Sequence, residues 1–248
     1  MPQLKLENRI ALVTGAAKGM GASHVRRFVQ EGAKVYFSDV LSEQGGKLAA
    51  ALGKNAIFLE QDVSSEDDWK QVIKAIGNEE GRLDVLVNNA GIAINQPIGT
   101  MTFDTYRKVI TINQYSVFLG LTCALPLLKK SGNASVINIS SIAGLRGNPG
   151  DVAYSSSKYA MRAMTQVAAK EFAPSIRVNS VHPGLVATDM TQLEEYKDLM
   201  AHIISQTPLQ RMATVDDLTN MVLFLACDDS AYCTGGEFVV DGGSTVGY

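Results

Sequence analysis

Short runs that are apolar on both faces alternate with longer stretches of helical periodicity along almost the whole chain. The runs are Arg9–Thr14, Lys34–Asp39, Ala56–Asp62, Leu83–Asn88, Ala134–Ser140, Ile176–Val181 and Glu237–Asp241. Helical patterns fill the gaps: up to about Glu31, Ser42–Leu52, from Ser64 onward, Phe103–Lys130, from Tyr154 to Phe172, and Val215–Cys227. A strand with no polar face must be covered on both sides, which means a parallel sheet between two helical layers. Parallel strands joined through helices take right-handed crossovers, so the pattern predicts a doubly wound α/β fold of about seven strands. No Pro, Gly or Ser linker and no shift in composition interrupts the alternation, and residues 1–248 read as a single domain.

Composition narrows the partners. The formal net charge is −3, and no block of Lys or Arg offers a footprint for nucleic acid or an anionic membrane. No apolar run reaches about 18 residues without a charge or a breaker, which argues against a membrane span. The start, Met1 to Arg9, lacks the apolar core of a signal peptide. Cys123, Cys227 and Cys233 are scattered and odd in number, as buried thiols in a reducing compartment would be. His24, His182 and His202 do not cluster, and no His, Cys and Asp set has metal-ligand spacing. These readings point to a soluble, cytoplasmic protein with no metal.

The first strand runs into Gly15-x-x-x-Gly19-x-Gly21, with Lys18 and Met20 between the glycines. This is where a Rossmann-like sheet brings backbone close to a pyrophosphate and points a helix N-terminus at it. The spacing departs from G-x-G-x-x-G, so its position carries the inference. A tight turn using glycine for conformation alone is the alternative. Asp39 ends the second strand, where it can accept hydrogen bonds from ribose hydroxyls. A 2′-phosphate there would meet a carboxylate, at a cost of several kcal/mol. The expected cofactor is therefore NAD, with NADP disfavoured; Lys18 is the contrary sign. Asp62 and Val63 end the third strand at the same edge and suit either an adenine contact or a helix cap.

Tyr154-Ser-Ser-Ser-Lys158 places a phenol and an ammonium on one helix face. A free tyrosine has a pKa of about 10 and is a poor base at neutral pH. An adjacent cation favours the phenolate, and bringing its pKa near 7 takes about 4 kcal/mol of selective stabilisation. A Tyr-x-x-x-Lys spacing is common by chance, and a solvated helix face is the plain alternative.

Thr14-Gly-x-x-x-Gly-x-Gly21, Asn88-Asn-Ala-Gly91, Asn113, Ser141, Tyr154-x-x-x-Lys158 and His182-Pro-Gly184 occur in order. Together they resemble the short-chain dehydrogenase/reductase family over roughly residues 6 to 243. Within it the chain is most similar to bacterial NAD-dependent secondary-alcohol dehydrogenases of the cyclopentanol and 3α(20β)-hydroxysteroid type. Gly19-Met-Gly-x-x-His24, Val35-Tyr-Phe-Ser-Asp39, His182 to Thr188 and Val240-Asp-Gly-Gly243 carry that narrower likeness. The resemblance implies Tyr154 as general acid/base. Lys158, together with the oxidised nicotinamide, would lower the Tyr154 pKa, and it would bind the nicotinamide ribose. Ser141, rather than Ser140, would bond the substrate oxygen, and Asn113 would anchor a water chain to Lys158. It further implies Asn89, Ala90 and Gly91 beneath the riboses, and Pro183, Gly184, Val186 and Thr188 at the nicotinamide end. Thr188 is also placed to cap a helix before Met190.

Leu193, Tyr196, Met200, Ile203 and Ile204 recur at helical spacing. By family likeness residues 189–212 form a substrate lid; by periodicity alone they are ordinary packing. No arginine is placed to clamp an acid, so the expected substrate is an uncharged, largely apolar secondary alcohol or ketone. Ala93 to Gln96 and Ile142 to Asp151 are its other walls. Val167-Ala-Ala169 suggests a subunit face, and family habit implies a homotetramer. The rival readings are a 3-oxoacyl-carrier-protein-type reductase and a nucleotide-binding scaffold without turnover.

Overall fold

The protein is described from a computed structural model, which covers residues 4–187 and 197–246. In chain order its elements begin with β1 (Ile10–Thr14), α1 (Gly19–Gln30), β2 (Lys34–Asp39), α2 (Ser42–Leu52), β3 (Ala56–Glu60) and α3 (Glu66–Glu80). They continue with β4 (Val85–Asn88), α4 (Phe103–Ile110), α5 (Ser116–Ser131), β5 (Ala134–Ile139), α6 (Val152–Phe172) and β6 (Ile176–Pro183). The last are α7 (Lys197–Gln206), α8 (Val215–Ala226) and β7 (Glu237–Val240).

All seven strands lie in one parallel sheet of order β3-β2-β1-β4-β5-β6-β7. Strand alternation explains why each run is apolar throughout. On β1, Ala11 and Val13 face one core with Val25 and Phe28 of α1 and Leu218 and Val222 of α8. Ile10 and Leu12 face a second core with Trp69 and Ile76 of α3, Leu121 of α5 and Met161 of α6. The same split divides Val85 and Val87 from Leu86 on β4. Two helical layers therefore bury both faces, as the sequence predicts. The sixth strand runs two residues beyond the expected Val181, because His182 and Pro183 pair with Val239 and Val240 of β7.

The expected Phe103–Lys130 helix is broken by a π-helical turn at Thr111–Tyr115. Such a turn inserts one residue and rotates the remainder of the helix, and Asn113 within it is fully buried. By length and composition Phe103–Ser131 is apolar enough to span a membrane. Here Val117, Leu121, Ala124, Leu127 and Leu128 belong to the core beneath the sheet. Val167-Ala-Ala169 is not a continuous surface face: Val167 is exposed, while Ala168 and Ala169 are buried in that same core.

Gly120 sets how closely α5 approaches β4. A Cβ there would lie 2.5 Å from Asn88 Oδ1 and 2.9 Å from the buried Trp69 ring. Gly120→Ala should therefore cost about 1–3 kcal/mol in urea unfolding, and a variant as stable as the parent would contradict this packing.

Candidate active site

In this strand order the chain reverses its winding direction between β1 and β4, and their carboxyl ends open the crevice where such sheets bind ligands. The glycine turn lies on one side. Gly15 has φ +63°, and a Cβ on it would sit 2.6 Å from Ala90 Cα; a Cβ on Gly21 would sit 2.5 Å from Gly15 O. Asn89 locks the turn from below, its Nδ2 donating to Thr14 O and Gly15 O, both at 2.9 Å. Thr14 Oγ1 in turn accepts from the amides of Asn89 and Ala90 at 3.1 and 3.2 Å. Helix α1 starts with no side-chain cap and no acidic residue in its first turn. Its positive end suits a pyrophosphate, and the glycines leave backbone room for one. Lys18 is exposed at the helix N-cap.

Asp39 stands beside this cradle. Its Oδ2 accepts from Ala17 N at 3.0 Å and its Oδ1 from Leu41 N at 3.1 Å, so the carboxylate is fixed in place. Asp62 does not cap α3, since Ser65 holds that position with its Oγ accepting from Asp68 N. Asp62 Oδ1 accepts from Ser64 N and Ser64 Oγ, and Asp62 N donates to Asp68 Oδ2. Val63 is buried, and its carbonyl takes the Trp69 indole N–H at 2.9 Å.

The acid/base candidates come from α6 and the end of β5. Lys158 is only 3% exposed, and its Nζ donates to Ile139 O at 2.8 Å while lying 5.5 Å from the centre of the Tyr154 ring. Burial pushes the Lys158 pKa down to about 7. Burial also raises Tyr154; a hydrogen bond from Ser141 pulls the phenol down, and the Asp151 carboxylate pushes it up. The expectation of a lowered phenol rests on Lys158 and the oxidised nicotinamide acting together, against the burial that raises it here. The amine is turned toward a strand carbonyl, and burial is the largest cause of the shift at both groups.

The two serines divide as strand alternation demands. Ser140 is buried and its Oγ donates to Lys158 O at 3.1 Å. Ser141 is half-buried at the cleft and caps a single 3₁₀ turn, Ile142–Gly144, its Oγ accepting from Ala143 N at 3.1 Å. His182 supports it from β6: Nδ1 lies 3.0 Å from Ser141 O, Nε2 lies 2.9 Å from Ser180 Oγ, and burial lowers its pKa. His182 is a strand-end structural residue, as its sequence position suggests.

Asn113 reaches the same spot, but its carboxamide is committed. Oδ1 accepts from Ile92 N and Nδ2 donates to Ile92 O, both at 2.8 Å, with Ser157 Oγ a further partner at 3.1 Å. The side chain clamps the segment following Gly91, and a Cβ on Gly91 would lie 3.4 Å from Asn113 Oδ1 and 3.5 Å from Lys158 Nζ. The side-chain amide is thus a backbone clamp. At the far end Gly184 N donates to Val240 O, and Val186 pairs with Ala213. Thr188, Leu193 and Tyr196 lie outside the described residues. A cleft of about 640 Å³ opens on the outer side of α6, between Pro97–Ile98 and Gly147–Gly150. Ser155, Ser156 and Tyr159 of α6 line it, beside Tyr154 in the chain. Sequence reasoning missed Arg162 and Ser157 and gave Thr14 no role of its own; each works through a contact that no local motif announces.

The chain matches, over residues 15–245, a family model described as Enoyl-(Acyl carrier protein) reductase. It is 43% identical to a 3-alpha-(or 20-beta)-hydroxysteroid dehydrogenase of Mycobacterium tuberculosis, covering 98% of this chain and 92% of that protein. It is 40% identical to a cyclopentanol dehydrogenase of Comamonas testosteroni, covering 97% and 98%. The fold aligns with a TM-score of 0.94 and 32% identity to a short-chain dehydrogenase/reductase from Brucella melitensis, over 99% of this chain and 100% of that one. The chain belongs to the short-chain dehydrogenase/reductase family. As such it is an oxidoreductase of the alcohol dehydrogenase/ketone reductase type, working with a nicotinamide cofactor. The crevice of this short-chain dehydrogenase fits that cofactor, since α1 starts without a side-chain cap and Gly19 has open space where a Cβ would stand.

The Lys158 shift has a pH signature. Below about 7 both folded and unfolded chains hold the proton; between there and the ordinary 10.5 only the unfolded chain does. Stability contributed at this position therefore rises with pH across that interval. Measured against Lys158→Met by urea unfolding, the parent should gain stability as pH rises; a flat or falling difference would refute the burial argument.

Proposed function

We propose that this protein interconverts a secondary alcohol and a ketone with NAD(H) as the cofactor, using Tyr154 as the general acid/base. The observation that carries the reading is the convergence of the Tyr154 phenol, the Ser141 hydroxyl and the buried Lys158 ammonium beside the glycine cradle. Gly15, Gly19, Met20 and Gly21 would hold the pyrophosphate, with Lys18 at its edge. Asp39 would hold the adenosine ribose, with Asp62 and Val63 flanking the adenine. Asn89, Ala90 and Gly91 would underlie the riboses, and Pro183, Gly184, Val186 and Thr188 the carboxamide end. The nicotinamide, when bound, supplies the hydride acceptor or donor.

The protein's own groups handle the proton. Tyr154 Oη takes the alcohol proton during oxidation and returns it during reduction. Ser141 Oγ donates to the substrate oxygen and steadies the charge that develops on it. Lys158 supplies positive potential in a poorly solvated pocket, where a charge acts at low effective dielectric, and its Nζ has donors left for the nicotinamide ribose. Asn113 holds the Ile92 backbone and thereby the floor under Lys158.

Several features support NAD, an apolar substrate and a homotetramer. The fixed Asp39 carboxylate would meet a 2′-phosphate at like charge. The walls at Ala93–Gln96 and Ile142–Asp151 hold Asp151 as their one acid and the exposed Arg146 as their one base, and relatives are named for cyclopentanol and hydroxysteroid substrates. A cyclic alcohol or steroid is the favoured class. Tyr115 of the π turn, Phe118 of α5, Val167 of α6 and Val239 on the sheet-edge strand β7 are exposed, as surfaces for further copies. The free thiols Cys123, Cys227 and Cys233 suit the cytoplasm. The family model's description favours a second reading, an acyl-carrier-protein reductase; acyl thioesters with NADPH test it in the same assay.

Tyr154→Phe should abolish nearly all turnover on cyclic alcohols while leaving NADH binding by fluorescence intact; half the parental rate would remove Tyr154 from its role. The ratio of kcat/KM for NAD over NADP should exceed about 100, corresponding to about 2.8 kcal/mol. A ratio near one, or a preference for NADP, would overturn the part given to Asp39.

A further inference from the structure

We propose that Arg162 is a positioning residue which, braced by Glu237, sets the orientation of Ser141 through the turn that follows it. The proposal rests on the reading of Ser141 as the substrate-binding hydroxyl.

Arg162 follows Lys158 by one helical turn on α6, and its guanidinium divides between two partners. Nη1 donates to Gly144 O at 3.1 Å, and Nη2 pairs with Glu237 Oε2 at 2.9 Å. Glu237 opens β7, and its other oxygen accepts from Gln166 Nε2 of the same helix at 3.1 Å. The two side chains are 30% and 22% exposed, so solvent screens this pair less than a surface one. The guanidinium also lies 5.7 Å from the centre of the Tyr159 ring, which limits its swing.

Gly144 is the last residue of the 3₁₀ turn that Ser141 caps. Within the turn Gly144 N donates to Ser141 O at 2.9 Å, and His182 reaches that same carbonyl from β6. The turn is thus pinned at Ser141 O by His182 and at Gly144 O by Arg162. There is no slack beneath it, since a Cβ on Gly144 would lie 2.8 Å from Lys158 O and 2.9 Å from Ser140 Oγ. An arginine spent only on tying α6 to β7 would not need the Gly144 carbonyl. Here one fork of a rigid cation takes Glu237 and the other takes the turn, so the acid on the edge strand fixes the aim of the group that holds Ser141. Loss of Arg162 frees the Gly144 carbonyl and lets the Ser141 hydroxyl drift from the substrate oxygen.

The test measures kcat, KM for a cyclic alcohol, NADH affinity by fluorescence and Tm for Arg162→Met, Arg162→Lys and Glu237→Gln, each alone and in a Ser141→Ala background. Arg162→Met should lower kcat/KM by about tenfold to a hundredfold, the scale of a displaced reacting group, with NADH affinity kept within about twofold. Arg162→Lys and Glu237→Gln should fall between Arg162→Met and the parent. In the Ser141→Ala background all three should cost nothing further, because the group they aim is gone. An equal loss in that background would show that Arg162 acts elsewhere and overturn the proposal, as would Arg162→Met with parental kcat/KM. If Arg162→Met does not fold, the same comparison with Arg162→Lys and Glu237→Gln decides. Full turnover in Ser141→Ala alone would instead sink the reading of Ser141.

Discussion

A charged amine buried against a strand carbonyl is the constraint around which this site is arranged. Lys158 donates to Ile139 O, and burial alone pushes its pKa down to about 7. A lone buried ammonium is costly. The surrounding architecture tolerates it because α6 is tied to β5 at several points: Ser140 Oγ to Lys158 O, Lys158 Nζ to Ile139 O, and Asn138 Nδ2 to Thr165 Oγ1. Those bonds keep the helix close to the strand, and the Tyr154 hydroxyl and Ser141 share one cleft as a consequence.

The same logic extends across the sheet. Asn88 Nδ2 bonds Asn138 Oδ1 at 2.8 Å between β4 and β5, and its neighbour Asn89 holds the glycine turn through Thr14 and Gly15. A run of buried polar contacts therefore links the acid/base helix to the cradle for the dinucleotide. Buried hydrogen bonds of this kind favour one register, because losing such a bond in the core costs about 1–3 kcal/mol. Hydride transfer depends on that register, since proton and hydride leave one carbon–oxygen unit in different directions.

Much of this was legible in the sequence for physical reasons. Strands apolar on both faces, such as Ile10–Thr14, announce a sheet covered twice, and the glycines at its first turn announce close backbone approach. The family resemblance picked Ser141 over Ser140, and strand alternation showed that both could not serve. Other features were hidden. The π turn that delivers Asn113 depends on how α5 packs beneath the sheet, and its sequence, Thr-Ile-Asn-Gln-Tyr, continues an ordinary helical pattern. Asp62 is ambiguous without the bonds that Ser64 and Asp68 make to it. Arg162 was silent because its partners, Gly144 and Glu237, are distant in sequence. The Tyr-x-x-x-Lys spacing reports proximity and says nothing of desolvation, which raises the phenol.

The pairing of phenol and buried ammonium is tested most directly by titrating Tyr154 itself. Its ionisation can be followed by NMR of a tyrosine ring carbon label in the NAD complex, in the parent and in Lys158→Met. With the positive nicotinamide also present, the phenol should ionise at clearly lower pH in the parent than in the variant that lacks the ammonium. An identical titration in both proteins would mean that Lys158 does not govern the proton, contradicting the role given to the pair.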